Sequence, residues 1–129
     1  MMRGFLFLMI IGLSVGCNKD VQKADLNMVK GEYDWYHSHN GLLESIYPST
    51  ISEKFGIRIN SKNTVKFYND SEKVKSLKIN RMYQTVNGEM TIIVQWDDHV
   101  EREIIIEENE LRFFDWPFSG FHNSFRKKE

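Results

Sequence analysis

From residue 31 onward the chain alternates apolar and polar positions, the period of two that sets successive side chains on opposite faces of a strand. Tyr33 and Trp35 share one face, and Asp34 and Tyr36 the other. Asn40-Gly41 marks a turn, because both residues tolerate the left-handed backbone that tight turns require. Residues 42–54 place Leu42, Leu43, Ile46 and Tyr47 before Pro48 and fit a crossing loop with a few apolar anchors. Phe55, Ile57 and Ile59 alternate with Gly56, Arg58 and Asn60 up to a turn at Ser61-Lys62-Asn63. Val65 and Phe67 then alternate with Lys66 and Tyr68, which predicts a hairpin closed at Asn69-Asp70-Ser71.

Residues 73–86 keep no single period. Val74, Leu77 and Ile79 allow a helix over 72–78 on propensity, followed by a strand through Ile79, Arg81, Tyr83 and Thr85 whose faces stay unassigned. Asn87-Gly88 is the strongest local hairpin signal. Met90, Ile92, Val94 and Trp96 form an inward row, and Asp97-Asp98 turns the chain. Glu101 and Glu103 alternate with Arg102, Ile104 and Ile106 until a turn at Glu107-Glu108-Asn109. Leu111 and Phe113 oppose Arg112 and Phe114 in a strand that ends at Asp115, and a last short strand lies around Phe121–Phe125. Seven or eight short strands joined mostly by tight turns predict an all-β protein, an antiparallel up-and-down barrel in which closure removes the sheet edges. No βαβ pattern and no internal repeat accompanies them.

The N-terminal segment has a different pattern. Residues 5–16, FLFLMIIGLSVG, are apolar except for Ser14; they follow Arg3 and end at Cys17, the only cysteine. About twelve residues fall short of the roughly 17–25 needed to span a bilayer. A positive start, a short apolar run and a small-residue site instead mark a secretory signal. Ser14-Val15-Gly16-Cys17 resembles the lipobox of bacterial lipoproteins, which implies cleavage before Cys17, its acylation with palmitate-type chains, and attachment to a membrane of the cell envelope. The expected location is the outer membrane, with the inner membrane as the alternative. The chain divides into a signal peptide at 1–16, a tether at 17–29 served equally by a short helix or a flexible stretch, and a barrel domain at 30–129. A lone cysteine offers no internal disulfide, so the core must hold the fold.

The domain also resembles a family. Gly31-Glu32-Tyr33-Asp34-Trp35 resembles the opening glycine–tryptophan strand of lipocalin-type barrels, with the pair spaced two residues wider than usual. Gly41 and Pro48, the hairpin FGIRINSKNTVKFYND at 55–70 and the closing ELRFFDWPFSGFHNSFRK at 110–127 extend the likeness over residues 30–127 to the small lipocalin-like lipoproteins of Bacteroidota. The resemblance implies a calycin-type barrel and transfers no catalytic residue.

Charge and candidate chemistry narrow the picture. The 129 residues carry 17 basic and 18 acidic side chains. Removing residues 1–16 takes away only Arg3 and leaves 113 residues at a net charge of about −2, which gives no electrostatic case for nucleic acid. Arg126-Lys127-Lys128-Glu129 reads as a solvated end. His37 and His39 would share a side if both lay in a strand, and Asp97 or Asp98 with His99 would add ligands across the sheet. With His122 the pattern still fixes no set of three or four metal ligands, so the histidines read as surface or capping residues and no metal is assigned. The acid pairs Asp97/Asp98 and Glu107/Glu108 lie in turns, where adjacent side chains diverge and cannot flank a bond. Ser52, Ser61, Ser71, Ser119 and Ser124 lie in loops without a nucleophile-elbow sequence. No enzyme, no catalytic residue and no cofactor is expected.

The aromatic set carries the remaining information. Tyr33, Trp35, Phe67, Met90, Val94, Trp96 and Phe113 fall on the predicted inward faces. Eight strands enclose either packed side chains or one small ligand, so these residues either line an apolar pocket or fill a core. The first reading makes the protein a non-enzymatic envelope lipoprotein that binds a small hydrophobic ligand. The second makes it a structural or protein-interaction module. Trp116-Pro117-Phe118, after the Asp115 turn, either plugs an end of the barrel or forms a rim for a partner or membrane.

Overall fold

The computed structural model describes residues 23–41 and 44–128. Cys17, the expected signal peptide at 1–16, residues 17–22 of the expected tether, Leu42, Leu43 and Glu129 lie outside them. A helix, α1 (Lys23–Val29), precedes nine strands: β1 (Gly31–His39), β2 (Ser45–Ile46), β3 (Phe55–Ile59), β4 (Thr64–Asn69), β5 (Glu72–Gln84), β6 (Met90–Asp97), β7 (Val100–Glu107), β8 (Glu110–Phe114) and β9 (His122–Lys127). Every pairing is antiparallel, and seven of them join the barrel strands in the order β1-β3-β4-β5-β6-β7-β8-β9. The last pairing, β9 with β1, closes eight strands into an up-and-down barrel. Strand β2 is an extra two-residue flap on the far end of β1.

The inward faces match the alternation in the sequence. Tyr33, Ile57, Ile59, Val65, Phe67, Ile79, Ile92, Val94, Ile104, Leu111, Phe113 and Phe125 are all buried. The lower end, where β1 begins, is closed by α1. Leu26 and Val29 lie three apart on one face of that helix and join the core. A seven-residue helix is marginal alone, so this packing holds it. Two bonds add to it: Lys30 N–H donates to Leu26 O at 2.7 Å, and the Tyr33 hydroxyl to Val29 O at 2.6 Å. This end of the stretch expected to be a tether therefore takes the helical form and belongs to the barrel.

The segment without a clear period is a strand, not a helix. Residues 72–78 belong to β5, at thirteen residues the longest strand. Its irregular pattern has a structural cause: the register shifts opposite Phe67/Tyr68 of β4 and again between Ile79 and Arg81 against β6. A bulge adds one residue and turns the following side chains to the other face. Leu77 and Ile79 thus point inward two apart, whereas the next buried residue, Met82, comes three later.

Candidate functional site

The upper end of the barrel is closed by residues 115–121, the β8–β9 connection. Asp115 adopts a positive φ of 81° and turns the chain inward. Its Oδ1 accepts the Gly120 N–H at 2.6 Å and the Ser119 hydroxyl at 3.0 Å, while Oδ2 accepts Arg102 Nη1 at 3.3 Å. The Gly120 amide first, then the Ser119 hydroxyl, hold the Asp115 carboxyl below the usual range, with Arg102 adding to the effect. Trp116 lies flat over Phe125 (4° between planes, 6.1 Å) and edge-on to Phe67 at 4.9 Å. Phe118 packs on Trp35 at 5.4 Å and Phe55 at 5.6 Å. The Trp116-Pro117-Phe118 cluster is therefore a plug.

A buried polar chain secures the plug from below. Trp35 Nε1 donates to Ser38 Oγ at 2.7 Å, and the Ser38 hydroxyl donates to Asn123 Oδ1. Asn123 Nδ2 in turn donates to the carbonyls of Phe113, Phe118 and Phe121, at 3.2, 3.4 and 3.0 Å. Ser38 and Asn123 are fully buried. The sequence reading did not single them out. The available signal was a polar residue at an inward position: Asn123 sits two before Phe125, and the bulge in β1 between Trp35 and His37 turns Ser38 inward.

The seven residues predicted to line or fill the interior are brought together, and six of them are buried: Tyr33, Trp35, Phe67, Met90, Val94 and Phe113. Trp96 is the exception. It packs on the core, 5.8 Å from Phe67 and 5.5 Å from Phe113, but it is only half-buried near the end of β6. Lys75 Nζ lies over its ring at 3.8 Å and the Arg102 guanidinium at 4.8 Å. A lumen wide enough for water would leave exposed surface on the side chains facing it. Val65, Phe67, Ile92, Val94, Leu111 and Phe125 retain none. Burial without a charged partner pushes the Tyr33 phenol up to about 12.

The outer wall carries a groove of about 620 Å³ over β1, β3 and β4. Its floor is Gly56, an outward position where a Cβ would sit 3.4 Å from Tyr33 O. Arg58 lies over the Tyr68 ring at 4.7 Å and pairs with Glu32 at 2.8 Å. Pro48, Glu53 and Lys54 form the opposite side.

Three of the four histidines meet at the upper outer rim. His37 and His39 do share a face of β1, their rings stacked at 5.6 Å. His122, the β9 partner of His39, stacks on it at 5.2 Å. Tyr47 covers His37 at 4.8 Å, and Phe114 covers His122 at 4.9 Å. His99 is elsewhere, in the β6–β7 turn, where its N–H donates to Asp97 Oδ1 at 2.9 Å. Asp97 and Asp98 thus bring no carboxylate to the other histidines, and Glu107 and Glu108 sit at the β7–β8 turn of the lower end. Comparison of the chain with models of protein families, with curated proteins and with solved structures finds no match.

Proposed function

We propose that the protein is a non-enzymatic lipoprotein of the cell envelope, anchored through acylated Cys17, whose filled barrel is a rigid module that engages a protein partner through its outer surface. The observation that carries this reading is the interior: Val65, Phe67, Ile92, Val94, Leu111 and Phe125 keep no accessible surface, and Phe113 and the half-buried Trp116 pack on Phe67 while Trp116 also stacks on Phe125. That packing supports the interaction module over a carrier of a small hydrophobic ligand. The five residues between Cys17 and α1 reach at most about 20 Å fully extended. An acylated Cys17 therefore holds the lower end near the bilayer and turns the plug and the histidine rim away from it. The lipocalin-like resemblance enters the proposal as scaffold only.

The test uses protein purified from its native membrane. Mass spectrometry is expected to show a chain that begins at Cys17 and carries acyl groups; a soluble product retaining residues 1–16 overturns the anchor. Trp35, Trp96 and Trp116 all lie toward the upper end, so tryptophan fluorescence reports directly on entry into the barrel. Titration with fatty acids and other hydrophobes is expected to leave emission unchanged. A saturable shift with one ligand per chain overturns the filled module in favour of the carrier.

A further inference from the structure

We propose that Asn87 is a modification site, where the chain converts itself to aspartate and isoaspartate through a cyclic imide, and that the fold directs this reaction to Asn87 rather than to Asn40. The chain holds two Asn-Gly pairs, Asn40-Gly41 and Asn87-Gly88. Their local chemistry is the same. A glycine carries no side chain to shield its amide nitrogen, so that nitrogen can reach the side-chain carbonyl of the asparagine before it. A Cβ placed on Gly41 or on Gly88 would meet nothing within 4 Å, so neither approach is crowded.

What differs is the asparagine. Asn40 is half-buried, and Glu44 holds it twice: Asn40 Oδ1 accepts the Glu44 N–H at 2.8 Å, and the Asn40 N–H donates to Glu44 O at 3.2 Å. Cyclisation would require Oδ1 to release the Glu44 amide as the side chain swings onto Gly41 N. Asn87 sits at the tip of the β5–β6 hairpin beside Val86, which is fully exposed. The loop is closed by backbone bonds, Gly88 N–H to Thr85 O at 3.0 Å and Thr85 N–H to Glu89 O at 2.8 Å. The Asn87 side chain is exposed, with no partner among the described residues. Each attacking nitrogen gives up one bond, Gly88 to Thr85 O and Gly41 to His39 Nδ1. The additional bond to be broken belongs to Asn40 alone.

The reaction needs only water. Gly88 N loses its proton to solvent base and bonds to Asn87 Cγ. The Cγ–Nδ2 bond breaks, and Nδ2 takes up protons from solvent and leaves as ammonia. Water then opens the imide at either carbonyl. Opening at Cγ gives aspartate on an unchanged backbone. Opening at the main-chain carbonyl frees that group as a carboxylate and routes the chain through Cγ, which is isoaspartate. No electron is transferred. Either product adds a negative charge at the lower end of the barrel, and isoaspartate lengthens by one backbone atom the loop that Thr85 and Glu89 close.

The experiment incubates the purified full-length chain in detergent at mildly alkaline pH, folded and, in parallel, unfolded in guanidinium chloride. Peptide mass spectrometry follows each asparagine with time. In the folded chain Asn87 is expected to convert roughly fivefold faster than Asn40, the rate equivalent of one net hydrogen bond. In guanidinium chloride the two rates are expected to converge. Enzymatic methylation of the isoaspartyl carboxylate gives an independent readout, and Asn87→Gln should remove most of that signal from the folded chain. Conversion of Asn40 as fast as Asn87 in the folded chain overturns the proposal. A gap that persists unchanged after unfolding also overturns it, because local sequence rather than the fold would then set the rates. So does a folded chain in which Asn87 stays intact while the unfolded chain reacts.

Discussion

Trp35 and Trp96 look alike in sequence, each at the inward beat of an alternating strand, yet their surroundings differ. Trp35 is buried, its indole N–H is satisfied by Ser38, and Phe55 and Phe118 pack around it. Trp96 is half-buried at the rim, with Lys75 and Arg102 over its ring. Trp35→Ala removes a fully packed ring and leaves Ser38 with one partner fewer; it is expected to cost about 3–5 kcal/mol. Trp96→Ala vacates a position that solvent and the lysine stem can refill, and is expected to cost about 1–2 kcal/mol. Urea unfolding of the two variants separates these values, and equal losses would show that the exposure of Trp96 has no energetic meaning. The alternation in the sequence placed both rings inward because period two reports the face of a strand. It does not report how close to the end of the barrel a residue sits.

At the scale of elements, the plug depends on one carboxylate. Asp115 holds the Gly120 amide and the Ser119 hydroxyl across the loop and reaches Arg102 on β7. Its proton affinity is lower in the folded chain than in the unfolded one. Asp115 therefore contributes its stability fully above the ordinary carboxylate pKa, and that contribution disappears as pH falls through the depressed folded value. Wild type should melt higher than Asp115→Asn at about pH 6, and the gap should shrink towards about pH 3. A pH-independent gap would mean that shape rather than charge fixes the loop. Asp115 was legible in the sequence only as the end of a strand. Its partners lie on β7 and in the same loop, and the fold had to bring them together. Strand β5 teaches the complementary lesson: its two register shifts break the period, so a 13-residue strand resembles a helix joined to a strand.

At the scale of the molecule, the barrel is closed laterally by the β1–β9 pairing, below by α1 and above by the plug. Tyr33 lies where wall and helix meet, with its hydroxyl donated to Val29 O. Burial at that junction raises its phenol to a pKa of about 12 against an ordinary 10.0. Because the folded value is the higher one, the contribution is complete below about pH 10 and is lost as pH rises towards about 12. The urea midpoint should fall more steeply in wild type than in Tyr33→Phe between about pH 9 and about pH 11.5. Parallel declines would place the alkaline sensitivity in other groups. Every barrel strand contributes to the one core that this junction covers from below.

The sequence by itself determined the class of fold, most strand positions, the turns at Ser61–Asn63 and Asn87-Gly88, and the inward residues from Tyr33 to Phe113. These follow from side-chain alternation and turn chemistry, which act over a few neighbouring residues. Only the tertiary structure decided the rest. Whether seven inward side chains line a space or fill it depends on their volumes summed across strands that are distant in sequence, and that sum needs a register. Ser38 and Asn123, 85 positions apart, become partners only when β9 closes on β1. The same closure gathers His37, His39 and His122 and leaves His99 behind in its turn, because strand pairing fixes which distant side chains become neighbours.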